Sequence, residues 1–232
     1  MDNPGSIINQ GRFVELNADL NRRVAVDTRQ LAWVDGAAGT ASRKPLALGA
    51  GEPPVSTEIV RYPAGATILE GERGGAEMLV LEGRLGAAPD DFPPGSYIKL
   101  PVGWSGPLTC TGDCTLFLKR GHLHRRDTLH RALRPQDRVW RPGLVPGLRV
   151  LSLDEFEGAH TALVQWQPGT RFQYHRHYGG EEIFVMEGVF QDEHGDYPAG
   201  TWLRSPHLSA HVPFSEPGCL IYVKVGHLPP AD

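Results

Sequence analysis

The chain has 232 residues, with 28 glycines, 20 prolines, 40% hydrophobic residues, and 23 basic against 27 acidic side chains. A formal net charge of −4 without a Lys/Arg-rich run argues against a nucleic-acid partner, and the short apolar runs argue against a membrane span. The first residues lack the basic and apolar regions of a secretory signal, and three cysteines are too few for a disulfide framework. We therefore expect a cytoplasmic protein.

In chain order, the sequence indicates many short strands joined by tight turns and no long helical period. Glycine- and proline-rich turns bound short segments of alternating or apolar residues, which is typical of an all-β sandwich or small barrel. In the second half of the chain the predicted strands lie at 161–167, 182–187 (ending at Gly188), 202–205 and 220–225, and residues 172–177 alternate as a strand would.

The two halves of the chain are copies of one unit. The segment 65–83 aligns with 169–188, and beyond it a constant offset of 105 residues relates matching positions such as Cys114 and Cys219, or Lys119 and Lys224. Each copy is long enough to bury its own core. The sequence therefore predicts two tandem domains, residues 1–124 and 125–232.

The second copy carries a metal-ligand pattern. His175 and His177 are two residues apart, so on a strand they face the same side. A Gly-Gly pair follows and permits a tight reversal that brings Glu181 back beside them, while His211 arrives from a later strand. A His-x-His pair alone is as often surface decoration, but this combination suits Fe, Zn, Ni, Mn or Cu in the divalent state.

The first copy has lost these residues. At the matching positions it carries Glu70, Glu72, Ala76 and Gly106. Two carboxylates leave too few ligands for a metal. We expect a structural partner barrel without a metal, whose interior is still able to hold a small molecule.

Four further residues are predicted to line or support the pocket. Gln173 shares the strand face of the two nearby histidines, and Trp202 and Arg204 lie on the strand leading towards the distal histidine. Glu182 is the alternative to Glu181 as the ligand. Neighbouring residues of a strand face opposite sides, so Glu182 is expected to point away from the histidines and to have a supporting or structural role.

These motifs resemble those of a known family. The spacing G-x5-H-x-H-x3-E-x6-G, from Gly169 to Gly188, matches the first cupin motif, and the second appears from Gly200 to His211 with Leu208 in place of its glycine. The segment HRHYGGEEIFVMEGVFQDEHGDYPAGT resembles, more narrowly, the ChrR-like cupins, which are related to the C-terminal domain of the ChrR anti-sigma factor. The resemblance implies an all-β bicupin with two tandem jelly-roll barrels and a set of metal ligands at His175, His177, Glu181 and His211.

The resemblance leaves three functions open. The first is a divalent-metal-binding bicupin that senses or binds a small molecule or oxidant in stress regulation, with a regulatory protein partner. Residues 1–30 contain neither Cys nor His, so the zinc-binding anti-sigma domain is not expected. The alternative is a non-haem Fe(II) dioxygenase that cleaves a C–C bond of a diketone or hydroxyketone, and the third is a ligand-binding protein with a structural metal.

Under each reading we expect one divalent metal in the C-terminal barrel, with Zn or Fe first and Ni or Mn as further candidates. The expected ligand or substrate is a small molecule, and the expected state is a monomer or a homodimer.

Overall fold

The computed structural model describes residues 8–9, 12–13, 15–36, 40–50, 54–68, 74–87, 90–104 and 106–228. These residues form strands and two short 3-10 helices, Thr28–Gln30 and Pro135–Asp137, with no α-helix among them, which confirms the all-β prediction. No helix in this part of the chain is long and apolar enough to cross a membrane.

The strands are short and follow one another closely. Up to residue 133 they are β1 (Ile8–Asn9), β2 (Arg12–Phe13), β3 (Val24–Asp27), β4 (Val34–Asp35), β5 (Ser42–Gly49), β6 (Val55–Tyr62), β7 (Thr67–Ile68), β8 (Ala76–Glu82), β9 (Leu85–Ala87), β10 (Asp90–Phe92), β11 (Tyr97–Leu100), β12 (Leu108–Cys110), β13 (Cys114–Arg120) and β14 (Arg131–Leu133). The later strands are β15 (Arg141–Pro142), β16 (Leu148–Phe156), β17 (Ala159–Trp166), β18 (Thr170–Arg171), β19 (His175–Arg176), β20 (Glu181–Asp192), β21 (Gly195–Pro198), β22 (Thr201–Ser205), β23 (Ala210–His211), β24 (Phe214–Ser215) and β25 (Cys219–Val225).

The chain forms two compact units. The first unit comprises residues 1–18 and 32–137, and the second comprises residues 19–31 and 138–232. In this division residues 19–31 belong to the second unit and residues 125–137 to the first, whereas the sequence predicts one boundary, between residues 124 and 125.

The first unit is a sandwich of two antiparallel sheets. The larger sheet has the strand order β14-β11-β8-β13-β6-β5-β4, and the smaller has the order β10-β9-β12-β7. Alternate residues of each strand point inwards, as the period of two requires. Their apolar side chains form one core from both sheets, which includes Val60, Met78, Leu85, Leu108 and Leu116.

The second unit repeats this plan with more continuous strands. Its main sheet follows the path β15-β16-β17-β25-β20-β22-β3, while β18, β21 and β24 pair off that path and β19 pairs with β23. Its core includes Trp166, Ile183, Val185, Phe190 and Ile221. The strands β13 and β25 begin and end 105 residues apart, which agrees with the offset found in the sequence.

Strand β20 is longer than predicted. It continues through Gly188, where it was expected to end, to Asp192. The register against β25 shifts between Val185 and Glu187, and Gly188 takes a φ of 70°. A Cβ atom at residue 188 would lie 2.0 Å from the backbone oxygen of Gly218, so this bulge needs glycine. The strand therefore bends rather than stops, which places Asp192 close to His211.

The two copies exchange one strand. Strand β3, near the N-terminus, pairs with β22 in the second unit, and β14 pairs with β11 in the first. The pairs correspond, because Val24 lies opposite Arg204 and Arg131 lies opposite Lys99. Lys99 and Arg204 are 105 residues apart, at the repeat offset, and Val24 and Arg131 are 107 apart, within two residues of it. Each unit is therefore completed by a strand from the other sequence copy.

Candidate metal centre

Two of the histidines lie opposite each other on a short antiparallel ladder. Strands β19 and β23 pair with His175 opposite His211. His177 follows the end of β19, where its N–H donates to Ser209 O at 2.9 Å and its carbonyl accepts from Leu208 N–H at 2.8 Å. The turn before β23 thus sets the position of both His177 and His211.

Leu208 occupies the motif position where the family pattern has glycine, and its φ of 64° explains the preference. The side chain is substantially exposed, so it offsets little of this backbone strain. We expect Leu208→Gly to raise the free energy of unfolding by about 0.5–1 kcal/mol in urea denaturation. An unchanged or lower value would show that the side chain contributes more than the strain costs.

The predicted reversal before Glu181 is present. Gly179 and Gly180 have φ values of 78° and 65°. A Cβ atom at residue 179 would lie 2.6 Å from the Cα of Gly226, so no larger residue fits without displacing backbone. This turn brings Glu181, the first residue of β20, back to the two histidines of the preceding segment.

The structure brings together the four residues predicted as ligands, and we call His175, His177, Glu181 and His211 the candidate ligand set. Each contributes one potential ligand atom, and these atoms all lie within 4.8 Å of one another. The Nε2 atoms of His177 and His211 are 3.0 Å apart, and Glu181 Oε2 lies 3.5 and 3.7 Å from them. Three of the four residues are buried.

The hydrogen bonds of the rings direct Nε2 towards the centre. His175 Nδ1 donates to the carbonyl of Gln173 at 3.1 Å, and His211 Nδ1 faces Asp192 Oδ2 at 3.4 Å. Because Nδ1 carries the proton in this arrangement, Nε2 keeps its lone pair for a metal. Two nitrogens about 2.0–2.1 Å from one ion are roughly 3.0–3.4 Å apart, so the 3.0 Å separation of His177 and His211 fits a shared ion.

Burial favours the uncharged forms of three of the residues. Burial, followed by the neighbouring rings of His211 and His175, lowers the pKa of His177 to about 3, and burial also lowers the pKa of His175. Burial raises the pKa of Glu181 to about 7. His175 and His177 are therefore neutral, as ligands must be, whereas Glu181 must release a proton to bind a metal near neutral pH.

Asp192 supports the fourth residue of the candidate ligand set. Besides His211, its carboxylate accepts hydrogen bonds from Tyr197 Oη at 2.8 Å, Arg23 Nη2 at 2.9 Å and the His194 N–H at 2.8 Å. Burial opposes its charge, but these donors outweigh burial and lower the pKa of Asp192 to about 2. For His211, burial is likewise outweighed by Asp192 and Glu181, so its pKa is raised.

Sequence reasoning missed Asp192, Tyr197 and Arg23. The first two lie within the segment that carries the family resemblance, but their spacing assigns no role to them. Arg23 precedes β3, the exchanged strand, and no local pattern links it to the site.

We expect Asp192→Asn to weaken metal binding about 10- to 100-fold, because the amide holds His211 less firmly in the Nδ1–H form. Competition with a chromophoric chelator measures the affinity. Asp196→Asn is the matched control, since Asp196 lies in the same hairpin and its exposed carboxylate accepts a hydrogen bond from Gln191 Nε2. Equal losses in both variants would contradict the positioning role of Asp192.

A cavity of about 180 Å³ opens onto the candidate ligand set. His175, Glu181 and His211 form one side of it. The remaining walls are apolar and come from residues such as Val164 and Phe172. Three of the four candidate ligands are therefore accessible from a chamber whose walls include core residues of the second unit such as Leu148 and Ile221.

The four additional residues predicted for the pocket do not line this cavity. The side chain of Gln173 is exposed, and the residue reaches the site through its backbone carbonyl instead. In the ladder between β20 and β22, Glu182 lies opposite Arg204 and Glu181 lies opposite Ser205. Trp202 Nε1 donates to Glu182 Oε1 at 2.7 Å, on the face of the sheet opposite to Glu181. The position of β22 before His211 in the chain did not place its side chains in the cavity, because residues 206–209 form an intervening turn.

The matching positions of the first unit are described in part. Ala76 begins β8 with its side chain buried, where the second unit has Glu181, and Gly106 accepts a hydrogen bond from Trp104 Nε1 where it has His211. Glu70 and Glu72 lie outside the described residues. The expectation of a metal-free first barrel stays a prediction.

A jelly-roll sandwich duplicated within one chain, with three histidines and a glutamate converging inside the second copy, defines the bicupin class. The model of the ChrR cupin-like domain matches residues 21–124 and 130–229, and the chain therefore belongs to the ChrR cupin-like family. The comparison with curated proteins gave no match.

Solved structures share the fold. A proposed dioxygenase from Nostoc punctiforme aligns with a TM-score of 0.73 at 15% identity, over 88% of this chain and 82% of its own. A proposed glyoxylate-induced protein from Pseudomonas aeruginosa aligns with a TM-score of 0.70 at 16% identity, over 94% and 91%. A variant of the Bacillus subtilis oxalate decarboxylase aligns with a TM-score of 0.57 at 15% identity, over 89% and 78%. At these identities the similarity establishes the fold alone.

Proposed function

We propose that the second unit binds one divalent transition metal through the candidate ligand set, and that this centre binds a small molecule as a sensor or receptor. The observation that carries the proposal is the cavity bordered by His175, Glu181 and His211. A purely structural metal site is closed by its ligands, whereas a reactive or ligand-binding site keeps an open position. A cavity against three of the four ligands suits the second kind.

Hydrogen bonds to two of the histidine rings favour the tautomer that a metal ligand requires. His175 and His211 have their Nδ1 atoms engaged by Gln173 O and Asp192, so their Nε2 atoms are directed to the common point. When bound, the metal supplies a Lewis-acidic position for a polar atom of the small molecule. Zinc and iron are the first candidates, because this mixture of imidazole and carboxylate suits both.

The apolar walls favour a second candidate, a non-haem Fe(II) dioxygenase acting on a diketone or hydroxyketone. Two histidines and a carboxylate with open positions are typical of such enzymes, and apolar walls exclude water from the reacting atoms. The role in stress regulation and the regulatory protein partner belong to the first candidate and rest on family membership.

Elemental analysis of protein purified without added metal and without a His tag tests the proposal first. We expect about one equivalent of metal per chain. Protein reconstituted with Co(II) is then titrated with azide, and a changed visible spectrum is expected if a coordination position is open. No metal, or a spectrum that azide leaves unchanged, would overturn the proposal. Oxygen uptake by the Fe(II) form with acetylacetone separates the enzyme from the sensor.

A further inference from the structure

The cavity next to the candidate ligand set has an apolar floor built from three neighbouring strands. In the ladders of β16, β17 and β25, Val150 lies opposite Val164, and Val164 lies opposite Ile221. All three side chains line the cavity. A cross-strand row of branched aliphatic residues gives a continuous apolar surface facing Glu181 and the histidines.

The lining of the cavity contains no basic side chain other than the histidines of the candidate ligand set. Among the residues that line the cavity there is no lysine or arginine, and its charged or titratable members belong to the candidate ligand set. A small dianion would be attracted by the metal, but the rest of its charge would face Glu181 and apolar walls without a cationic side chain to offset its desolvation. An uncharged molecule incurs no such cost and gains from burial against the aliphatic floor.

The size of the cavity limits the apolar part of the ligand. A cavity of about 150 Å³ lined by apolar residues is known to hold benzene. The volume of about 180 Å³ therefore accommodates a six-membered ring or a branched aliphatic group of similar size.

The entrance is apolar as well. Leu144 lines the cavity and is the most exposed large hydrophobic residue described, with 86% of its surface accessible. It lies between Gly143 and Gly147 in the turn before β16, and Pro213 lies on the wall beside β23. An apolar group thus meets apolar side chains from solvent to floor.

We propose that the cavity selects uncharged small molecules that combine one metal-binding polar group with an apolar body of about the size of a phenyl ring, and that it discriminates against small dicarboxylates. The inference deepens the proposed function and rests on it, because the polar group needs the metal.

Three probes test it on the metal-loaded full chain. Benzohydroxamate and acetohydroxamate are supplied as their hydroxamic acids, which are mainly uncharged in solution near neutral pH. They carry the same chelating head and differ in phenyl against methyl, while oxalate is a small dianion. By calorimetry we expect benzohydroxamate to bind at least about 10-fold more tightly than acetohydroxamate, since the phenyl group buries more apolar surface. Oxalate is expected to bind more weakly than either. Tighter binding of oxalate than of benzohydroxamate would overturn the inference.

A matched pair of variants locates the effect in the cavity. Val164→Arg places a cation on the floor, and we expect it to weaken benzohydroxamate at least about 10-fold and to strengthen oxalate. Gln165→Arg adds the same charge at the exposed neighbouring position and is expected to change neither. Val164→Phe fills the cavity without a charge, and should reduce benzohydroxamate binding while retaining acetohydroxamate. Equal effects of Val164→Arg and Gln165→Arg, or benzohydroxamate binding unaffected by Val164→Phe, would overturn the inference.

Metal content is measured for every sample. Absence of metal from the wild-type protein defeats the proposed function, whereas a full complement of metal with the wrong probe preference defeats the inference alone.

Discussion

Replacing His177 with alanine is expected to reduce the metal content from about one equivalent per chain to below about a tenth, because a buried ligand with its Nε2 atom between Glu181 and His211 is lost. His177 is only 7% exposed, so we do not expect a water molecule from bulk solvent to replace the lost ligand. The variant should also lose the rise in melting temperature that excess metal gives the wild type. Elemental analysis and thermal unfolding with and without added metal measure both effects.

Two controls accompany this variant. His160→Ala removes a histidine of the same unit whose Nε2 lies 3.0 Å from Ser152 Oγ, away from the candidate ligand set, and should retain the metal. Glu72→Ala alters the corresponding stretch of the first copy and should leave the metal content unchanged. Equal loss of metal in His177→Ala and Glu72→Ala would exclude a single site in the second unit.

Glu181→Gln is expected to stabilise the metal-free protein at neutral and alkaline pH. Burial raises the pKa of Glu181 from its ordinary 4.5 to about 7. The contribution of a carboxyl with a raised pKa is fully present below pH 4.5 and is lost as the pH rises through 7. At about 1.4 kcal/mol per pKa unit, the free energy of unfolding of the variant relative to wild type should increase by about 2–3 kcal/mol between pH 5 and pH 8.

With metal present, we expect the wild type to be more stable than Glu181→Gln. The ionised carboxylate is then a ligand, so the wild type gains stability from the metal and Glu181→Gln gains far less. Urea unfolding at several pH values, with a chelator and with excess metal, gives the four curves required. Glu155→Gln, at an exposed carboxylate in β16, should track the wild type within about 0.5 kcal/mol. A parallel pH response of Glu181→Gln and wild type would refute the buried, protonated state of Glu181.

The meeting of the candidate ligands was predictable because its causes are local. The two-residue spacing of His175 and His177 and the glycines that follow define one strand end and one reversal, and the duplicated pattern defines the barrel around them. The cavity walls were less accessible to prediction. Trp202 and Arg204 were placed near the site because their strand leads towards His211, but the turn at residues 206–209 separates that strand from β23, and both side chains lie on the face opposite to Glu181.

The Asp192 network was not predictable for a different reason. Arg23 and Asp192 are 169 positions apart and meet because β3 pairs with β22. Such a contact depends on the topology of the whole unit, which neither spacing nor composition encodes.

The exchanged strand also affects whether one of the two copies could be lost during evolution. The copy without the candidate ligand set supplies Val24–Asp27 and Arg23 to the unit that contains it. A gene for the second copy alone would encode all four candidate ligands and still lack an edge strand and the guanidinium that holds Asp192. Loss of the first copy would therefore disturb the surroundings of the candidate ligand set, so selection acting on this set would preserve both halves of the duplication.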